Sequence, residues 1–429
     1  MAHDKSPRVA HAQALLRFID ASPSPYHVVE NASQQLAEAG FVRTELSEPF
    51  SASGSVMYAA DGVLLAWRIP EAANATTPLR IIGAHTDSPN LRLKPHPQAD
   101  AYGYRRLGVE IYGGVLLNSW LDRDLGLSGR LAVRDGDTVR QQLFALDEPL
   151  LRIPQLAIHL DREISEKGLL LNRQLHMAPV YGLSAAETND IWDVIAGALE
   201  IQVSDIVGAD VMLHDTQPSS LLGTNGEFIS APRIDNQLSC HAAITALSGA
   251  SSSEAITMVA LFDHEEVGSV SASGARTQLM PRILESISEA LGGTAQDRAN
   301  VVDKSLFISA DNAHATHPNY PDRHEPGHHI ALNEGPVLKH NANQRYTTDA
   351  MTQGLFILAA ERAGVATQDF VNRTDMGCGS TIGPTVSALL GMRSLDVGCP
   401  QLSMHSCREL AGTSDPWAMT VLLAELLAS

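Results

Sequence analysis

The sequence predicts an α/β fold: a mainly parallel sheet flanked by helices, interrupted by a β-rich insertion. Three observations lead there. Strand-length apolar runs at Leu79 to Ala84, Ile256 to Phe262, Leu306 to Ala310 and Ser394 to Val397 alternate with helical patterns, and such alternation implies parallel strands covered on both faces. Between about Leu91 and Phe228 the texture changes to short β-rich runs separated by turns, the mark of hairpins and antiparallel sheet. From Asp235 onward the alternation returns. Residues 1–90 and 231–429 therefore read as one α/β domain, and residues 91–230 as a domain inserted in it.

The elements follow in order. After Ser6-Pro7 an amphipathic helix carries Leu15, Leu16, Phe18 and Ile19, and the turn Ser22-Pro23-Ser24-Pro25 ends it. A second helix carries Val28, Val29, Leu36 and Ala37 and stops at Gly40. Val63 to Trp67 reads as a strand, as does Leu79 to Ala84, which ends abruptly in His85-Thr86-Asp87-Ser88-Pro89. Within the insertion, Val109 to Tyr112, Leu131 to Arg134 and Leu143-Phe144 read as strands around turns such as Asp135-Gly136-Asp137, with a helix over Glu187 to Leu199. A last helix spans about Trp417 to Leu427.

Composition bounds the function. With 49 acidic and 30 basic residues in 429, the net charge is -19. That argues against nucleic-acid binding, which needs a basic surface to neutralise phosphates. The four cysteines form no CxxC pair, a pattern of reduced intracellular chains. No apolar stretch reaches membrane-spanning length and no uninterrupted signal-type run opens the chain. The expectation is a cytoplasmic protein without a membrane or nucleic-acid partner.

Acids and histidines fall where chemistry is done. His85 and Asp87 follow one buried strand; Asp263, His264, Glu265 and Glu266 follow another; Asp311 and His314 follow a third; His405 comes shortly after a fourth. In open α/β sheets, ligands bind outside the carboxyl ends of strands. Carboxylates crowded there repel one another, and a pair of divalent cations resolves the crowding. Zinc takes His nitrogen and Asp or Glu oxygen, and two metals roughly 3.5–4 Å apart polarise a carbonyl and activate water between them. In a turn, the Glu265-Glu266 pair can supply a ligand from one residue and a general base from the other. Each signal has an ordinary alternative: Asp235 could be a helix N-cap, Glu265-Glu266 a solvated pair, and His405 a core histidine. Their joint arrangement outweighs these.

Five ordered segments carry a resemblance. His85-Thr86-Asp87-Ser88-Pro89, Arg233-Ile234-Asp235-Asn236, Asp263 to Ser269, Asp311 to Tyr320 and Ser403-Met404-His405-Ser406 resemble the motifs of the aspartyl aminopeptidase family of dinuclear zinc metallopeptidases, in a bacterial member. The resemblance covers nearly the whole chain. It implies that Asp235 bridges two Zn2+ ions per subunit, with Co2+ or Mn2+ as alternatives. His85 and Asp311 would complete one site, Glu266 and His405 the other. Glu265 would be the general base, and Asp87 would fix the ring of His85. The implied reaction is attack of metal-bound hydroxide on the first peptide carbonyl, releasing an N-terminal amino acid. The segment Ile153 to Leu160 resembles a strand of the inserted dimerisation and lid domain, whose histidine, here His159, would stabilise the oxyanion in a neighbouring subunit. Lys339 to Tyr346 resembles the specificity loop: Lys339 would face an Asp or Glu side chain, with His340, Tyr346 and His314 as further substrate contacts. Asp375 to Pro384 resembles the family's glycine-rich segment beside the site, with a structural role. The family's assembly implies a homo-oligomer, a dimer at minimum and a tetrahedral dodecamer in full. Two other readings stand beside this one: a dinuclear zinc amidohydrolase or dipeptidase acting on small amides, and a metal-containing scaffold without catalysis.

Overall fold

The computed structural model describes residues 7–185, 190–250 and 254–429. The chain divides into two compact units. One comprises residues 1–87, 219–404 and 409–429; the other comprises residues 88–218 together with 405–408.

The first unit is built on a nine-stranded sheet. In chain order its strands are β1 (Val42–Arg43), β2 (Gly54–Ala60), β3 (Val63–Ile69), β4 (Leu79–His85), β5 (Ile256–Phe262), β6 (Leu306–Ala310), β7 (Val337–His340), β8 (Gln368–Val371) and β9 (Arg393–Gly398). In space they run β1-β2-β3-β5-β4-β6-β9-β7-β8. The middle of the sheet is parallel, through the β5–β4, β4–β6 and β6–β9 pairs. β3 joins β5 antiparallel, and so does β7 with β9.

Alternating side chains place each strand in two cores. Leu64, Ala66, Ile82, Ala84, Val259 and Leu261 face a core shared with the helices Pro7–Asp20, Pro25–Glu38, Ile234–Gly249 and Asp415–Ala428. Leu65, Trp67, Ile81, Met258, Ala260 and Phe307 face the opposite core, closed by Leu279–Ala290 and Ile382–Leu390. Every residue of β5 and β6 is buried, which is why these strands read as continuous apolar runs. A smaller five-stranded sheet belongs to the same unit, ordered Ser220–Leu222, Phe228–Ala231, Glu409–Gly412, Pro400–Leu402 and Ala313–His314.

The second unit is a six-stranded antiparallel sheet, ordered Thr138–Leu151, Leu125–Asp135, Ile206–Asp215, Asn90–Gln98, Tyr104–Tyr112 and Val180–Leu183. The turn at Asp135-Gly136-Asp137 joins its two longest strands, with Gly136 at φ 60°. The helix expected over Glu187 to Leu199 is found at Ile191–Ala198, capped by the Asp190 side chain; Glu187 lies outside the described residues, as do Asp4, Lys5 and Ser6.

One expectation fails. Ile153 to Leu160 is not a strand: beyond isolated bridges at Arg152 and Ile153 the backbone leaves the sheet. Pro154 has no N–H to give a ladder. The next amides close local turns instead, with Leu160 N–H donating to Ala157 (2.8 Å) and Asp161 N–H to Ile158 (3.3 Å).

Candidate active site

The carboxyl ends of β4, β5 and β6 deliver the polar side chains that the sequence singles out, and the start of the Ile234–Gly249 helix delivers one more. His85 is the last residue of β4. Its Nδ1 donates to the backbone carbonyl of Asp87 (3.0 Å), which orients the ring and directs Nε2 toward the acids. Nε2 lies 3.5 Å from Asp235 Oδ1 and 3.9 Å from Asp311 Oδ1. Donor atoms of His85, Asp235 and Glu266 all lie within 4.8 Å of one another.

Asp87 does more than hold the His85 ring, whose Nδ1 is 3.4 Å from its Oδ1. Its carboxylate, wholly buried, accepts the N–H of Glu265 on Oδ1 and that of Glu266 on Oδ2, each at 3.1 Å. The two glutamates open a single 3-10 turn, Glu265–Val267, after His264 turns the chain at φ 62°. Asp87 therefore anchors the turn that aims both. Beside it, Thr86 Oγ1 donates to the Gly62 carbonyl (2.7 Å). A Cβ on Gly62 would meet Asp263 Oδ2 at 2.2 Å, so glycine is required for that approach.

Asp235 does not cap its helix. Its φ of -81° and ψ of 108° are non-helical, its peptide to Asn236 is cis, and regular helix begins beyond Asn236.

Charge in this cluster is strongly perturbed. Burial pushes Glu265 up to about 8; the charge of His85 opposes that, and Asp311, Glu266 and Asp87 reinforce it. Burial likewise raises Asp311, against the pull of Lys339 and with the push of Asp235. For His85 burial disfavours the cation, yet hydrogen bonds donated to the Asp235 and Asp87 carboxylates hold its proton well above the ordinary imidazole range. Carboxylates that resist ionising together, with an imidazole among them, are the donor set that fits zinc.

Lys339, buried on β7, brings Nζ to 3.9 Å from Asp311 Oδ1 and 5.2 Å from the centre of the Tyr346 ring. Tyr346 is buried, and burial raises its hydroxyl pKa, as does its hydrogen bond to Cys378. His340 is the next residue on the strand and so faces the other way; its Nε2 is 2.9 Å from Asp369 Oδ1. His314 is exposed, its ring 6.2 Å from that of Phe370. His405 and His159 belong to the second unit. His405, at φ 67°, donates from Nδ1 to the Gly114 carbonyl (3.1 Å), so its lone pair is on Nε2. His159 is exposed in a turn.

Three residues went unnoticed in the sequence. Glu409, Gln401 and Asn312 are buried polar side chains beside Asp235 and Asp311. A lone Glu or Gln on a short strand carries no spacing signal. Cys240 is a buried thiol whose S–H donates to the His85 carbonyl (3.0 Å), and burial pushes its pKa up to about 12.

An α/β sheet whose strand ends gather histidine and carboxylates around one point has the donor set of a metal site. Residues 18–426 match the family model described as aminopeptidase I zinc metalloprotease (M18). The chain is 46% identical over 423 residues to a probable M18 family aminopeptidase 2 of Streptomyces avermitilis, covering 97% of each chain. Among solved structures, it is similar to a chain in the cryo-EM structure of the Ape4 and Nbr1 complex, at TM-score 0.94 and 38% identity over 100% of this chain and 88% of that one. It is also similar to the mApe1 dodecamer of S. cerevisiae, at TM-score 0.84 and 28% identity over 96% and 95%. This chain belongs to the M18 family of zinc metalloproteases, and it is an aminopeptidase by that membership. Among the described residues, no helix is long and apolar enough to cross a membrane.

Proposed function

We propose that this chain is a dinuclear zinc aminopeptidase that releases N-terminal amino acids from peptides in the cytoplasm, with a preference for Asp and Glu. The observation that carries the reading is the convergence of His85, Asp235 and Glu266 donor atoms within 4.8 Å of one another, with Asp311 beside them. His85, Asp235, Glu266, Asp311 and His405 would hold the two ions. When bound, zinc would polarise the scissile carbonyl and acidify a coordinated water.

The remaining work falls to side chains. Glu265, whose environment keeps its proton affinity near neutral pH, would take a proton from the nucleophile and hand it to the departing amine. Asp87 would keep Glu265 aimed through the backbone of its turn. Lys339 and Tyr346 would meet the substrate side chain, and the positive charge of Lys339 supports a preference for acidic residues.

Residues 1–90 with 231–429 form the catalytic domain in this reading, and residues 91–230 the dimerisation and lid domain. Around His159, the side chains of Leu156, Ile158 and Leu160 are 57%, 55% and 74% exposed. Apolar groups so placed suit burial against a second copy, with His159 reaching that copy's site. The dodecameric state of the similar mApe1 structure supports a homo-oligomer. The test is a panel of twenty aminoacyl chromogenic amides, assayed with chelator and with zinc, cobalt or manganese restored. Chelator-sensitive release led by Asp and Glu is expected. Metal-dependent release of neutral residues would remove the acidic preference, and no metal-dependent release would remove the activity.

A further inference from the structure

The peptide group between Ile234 and Asp235 is held at both poles. Its N–H donates to Glu409 Oε2 (2.8 Å), and its carbonyl accepts from Asn312 Nδ2 (2.8 Å). Those two side chains are themselves bridged by Gln401, whose Nε2 donates to Glu409 Oε1 (3.3 Å) and whose Oε1 accepts from Asn312 Nδ2 (2.8 Å). All three are buried, at 3% exposure for Glu409, 1% for Gln401 and 2% for Asn312. Glu409 comes from the small sheet, where it pairs with Ala231, and Asn312 lies two residues past the end of β6 at Ala310.

Polarity in this ring runs one way. Both oxygens of the Glu409 carboxylate accept hydrogen bonds, Oε2 from Asp235 N–H and Oε1 from Gln401 Nε2, so an acceptor-only side chain satisfies both donors. Burying a carboxylate is costly unless it is hydrogen-bonded, and here two buried donors would lose their acceptor without it. What the carboxylate secures is the plane of one peptide. That plane sets where the next side chain points, and the next side chain is the carboxylate of Asp235, whose φ and ψ are not those of the helix it opens.

We propose that Glu409, with Gln401 and Asn312, is a positioning clamp for Asp235 that fixes the bridging carboxylate in register with His85 and Asp311. This rests on the metallopeptidase reading above. Partners of this kind govern metal affinity by about 10- to 100-fold. Glu409→Gln keeps the volume but replaces one acceptor with a donor, which then opposes the amide of Gln401. The double variant E409Q/Q401E restores the order: the new amide at 409 accepts from Asp235 N–H and donates to the new carboxylate at 401, whose other oxygen accepts from Asn312.

The experiment is zinc competition against a chromophoric chelator on the full chain, paired with thermal melting of the zinc-free protein. The parent is measured first, and failure of the parent to bind zinc would overturn the metallopeptidase reading itself. With zinc bound by the parent, E409Q should bind it about 10- to 100-fold more weakly while its zinc-free melting temperature stays near the parent's, and E409Q/Q401E should return to within about threefold of the parent. Parental zinc affinity in E409Q would overturn the clamp. So would a double variant that stays weak, or a zinc-free melting loss that accounts for the whole effect.

Discussion

Replacing Asp87 with Asn would separate the aim of the Glu265–Glu266 turn from the identity of its residues. The substitution preserves volume in a wholly buried position. The carboxylate accepts two backbone N–H groups, Glu265 on one oxygen and Glu266 on the other, both at 3.1 Å. An amide offers one oxygen, so one N–H faces an NH2 group. A lost hydrogen bond to a charged acceptor, with its donor left buried, costs about 1.5–3 kcal/mol. Expressed in the alignment of Glu265 at the transition state, that is roughly a ten- to hundredfold loss of kcat/KM. Nδ1 of His85 still has the Asp87 backbone carbonyl, which the substitution leaves in place, so His85 keeps its orientation. The assay is steady-state hydrolysis of an acidic aminoacyl amide, with bound zinc measured on the same samples. A D87N enzyme within threefold of the parent, with full metal content, would refute the claim that this carboxylate aims the turn.

Glu265→Gln should keep the zinc content and lower kcat by at least a hundredfold, since it removes a base and no ligand; loss of metal instead would exchange the roles of Glu265 and Glu266. His159→Ala, at an exposed turn position, should leave melting temperature and zinc content unchanged while lowering kcat by roughly a hundredfold if it serves an oxyanion; unchanged turnover would remove it from catalysis. Burial pushes Asp415 up to about 6, against the pull of the Asn333 and Gly335 amides and with the push of Glu334. Its folded pKa thus exceeds the ordinary carboxylate value of about 3.9, so its contribution to stability is whole below pH ~4 and lost as the pH rises through ~6. The loss is roughly 3 kcal/mol at 1.36 per unit. D415N should therefore gain on the parent by about that amount between pH 4 and pH 7 in zinc-free melts; a constant gap between the two would show that Asp415 does not titrate there.

Much of the site was legible because strand ends are legible. Apolar runs that stop at His85, before Asp263 and before Asp311 mark the ends of β4, β5 and β6, and the structure brings His85, Glu266 and Asp311, at or just past those ends, to one place. The chain-level fold followed from the same runs. Other placements were less legible. Lys339 and His340 are grouped by the family resemblance alone; as neighbours on a strand they face opposite ways, and His340 Nε2 lies 2.9 Å from Asp369. Ile153 to Leu160 has the composition of a strand, but Pro154 and two local turns remove its ladder. The grip on Asp235 was invisible for another reason. It joins Glu409 to a backbone amide 174 positions earlier, and a main-chain partner leaves no residue type to recognise.

The strand order of the main sheet also sets a timetable for the ribosome. β3 and β4 are near neighbours in sequence, but β5 lies between them in the sheet. About 170 residues separate the end of β4 from the start of β5. At the usual pace of synthesis those residues take roughly ten to thirty seconds. Throughout that interval β4 has neither of its sheet partners, because β6 is made later still. A nascent chain therefore carries an apolar strand with two open edges, the kind of surface that recruits other chains. The segment emerging meanwhile is the second unit, whose strands pair almost wholly among themselves. It can fold while the main sheet waits, and slowing translation within it should raise aggregation of the unfinished protein more than slowing translation after Phe262.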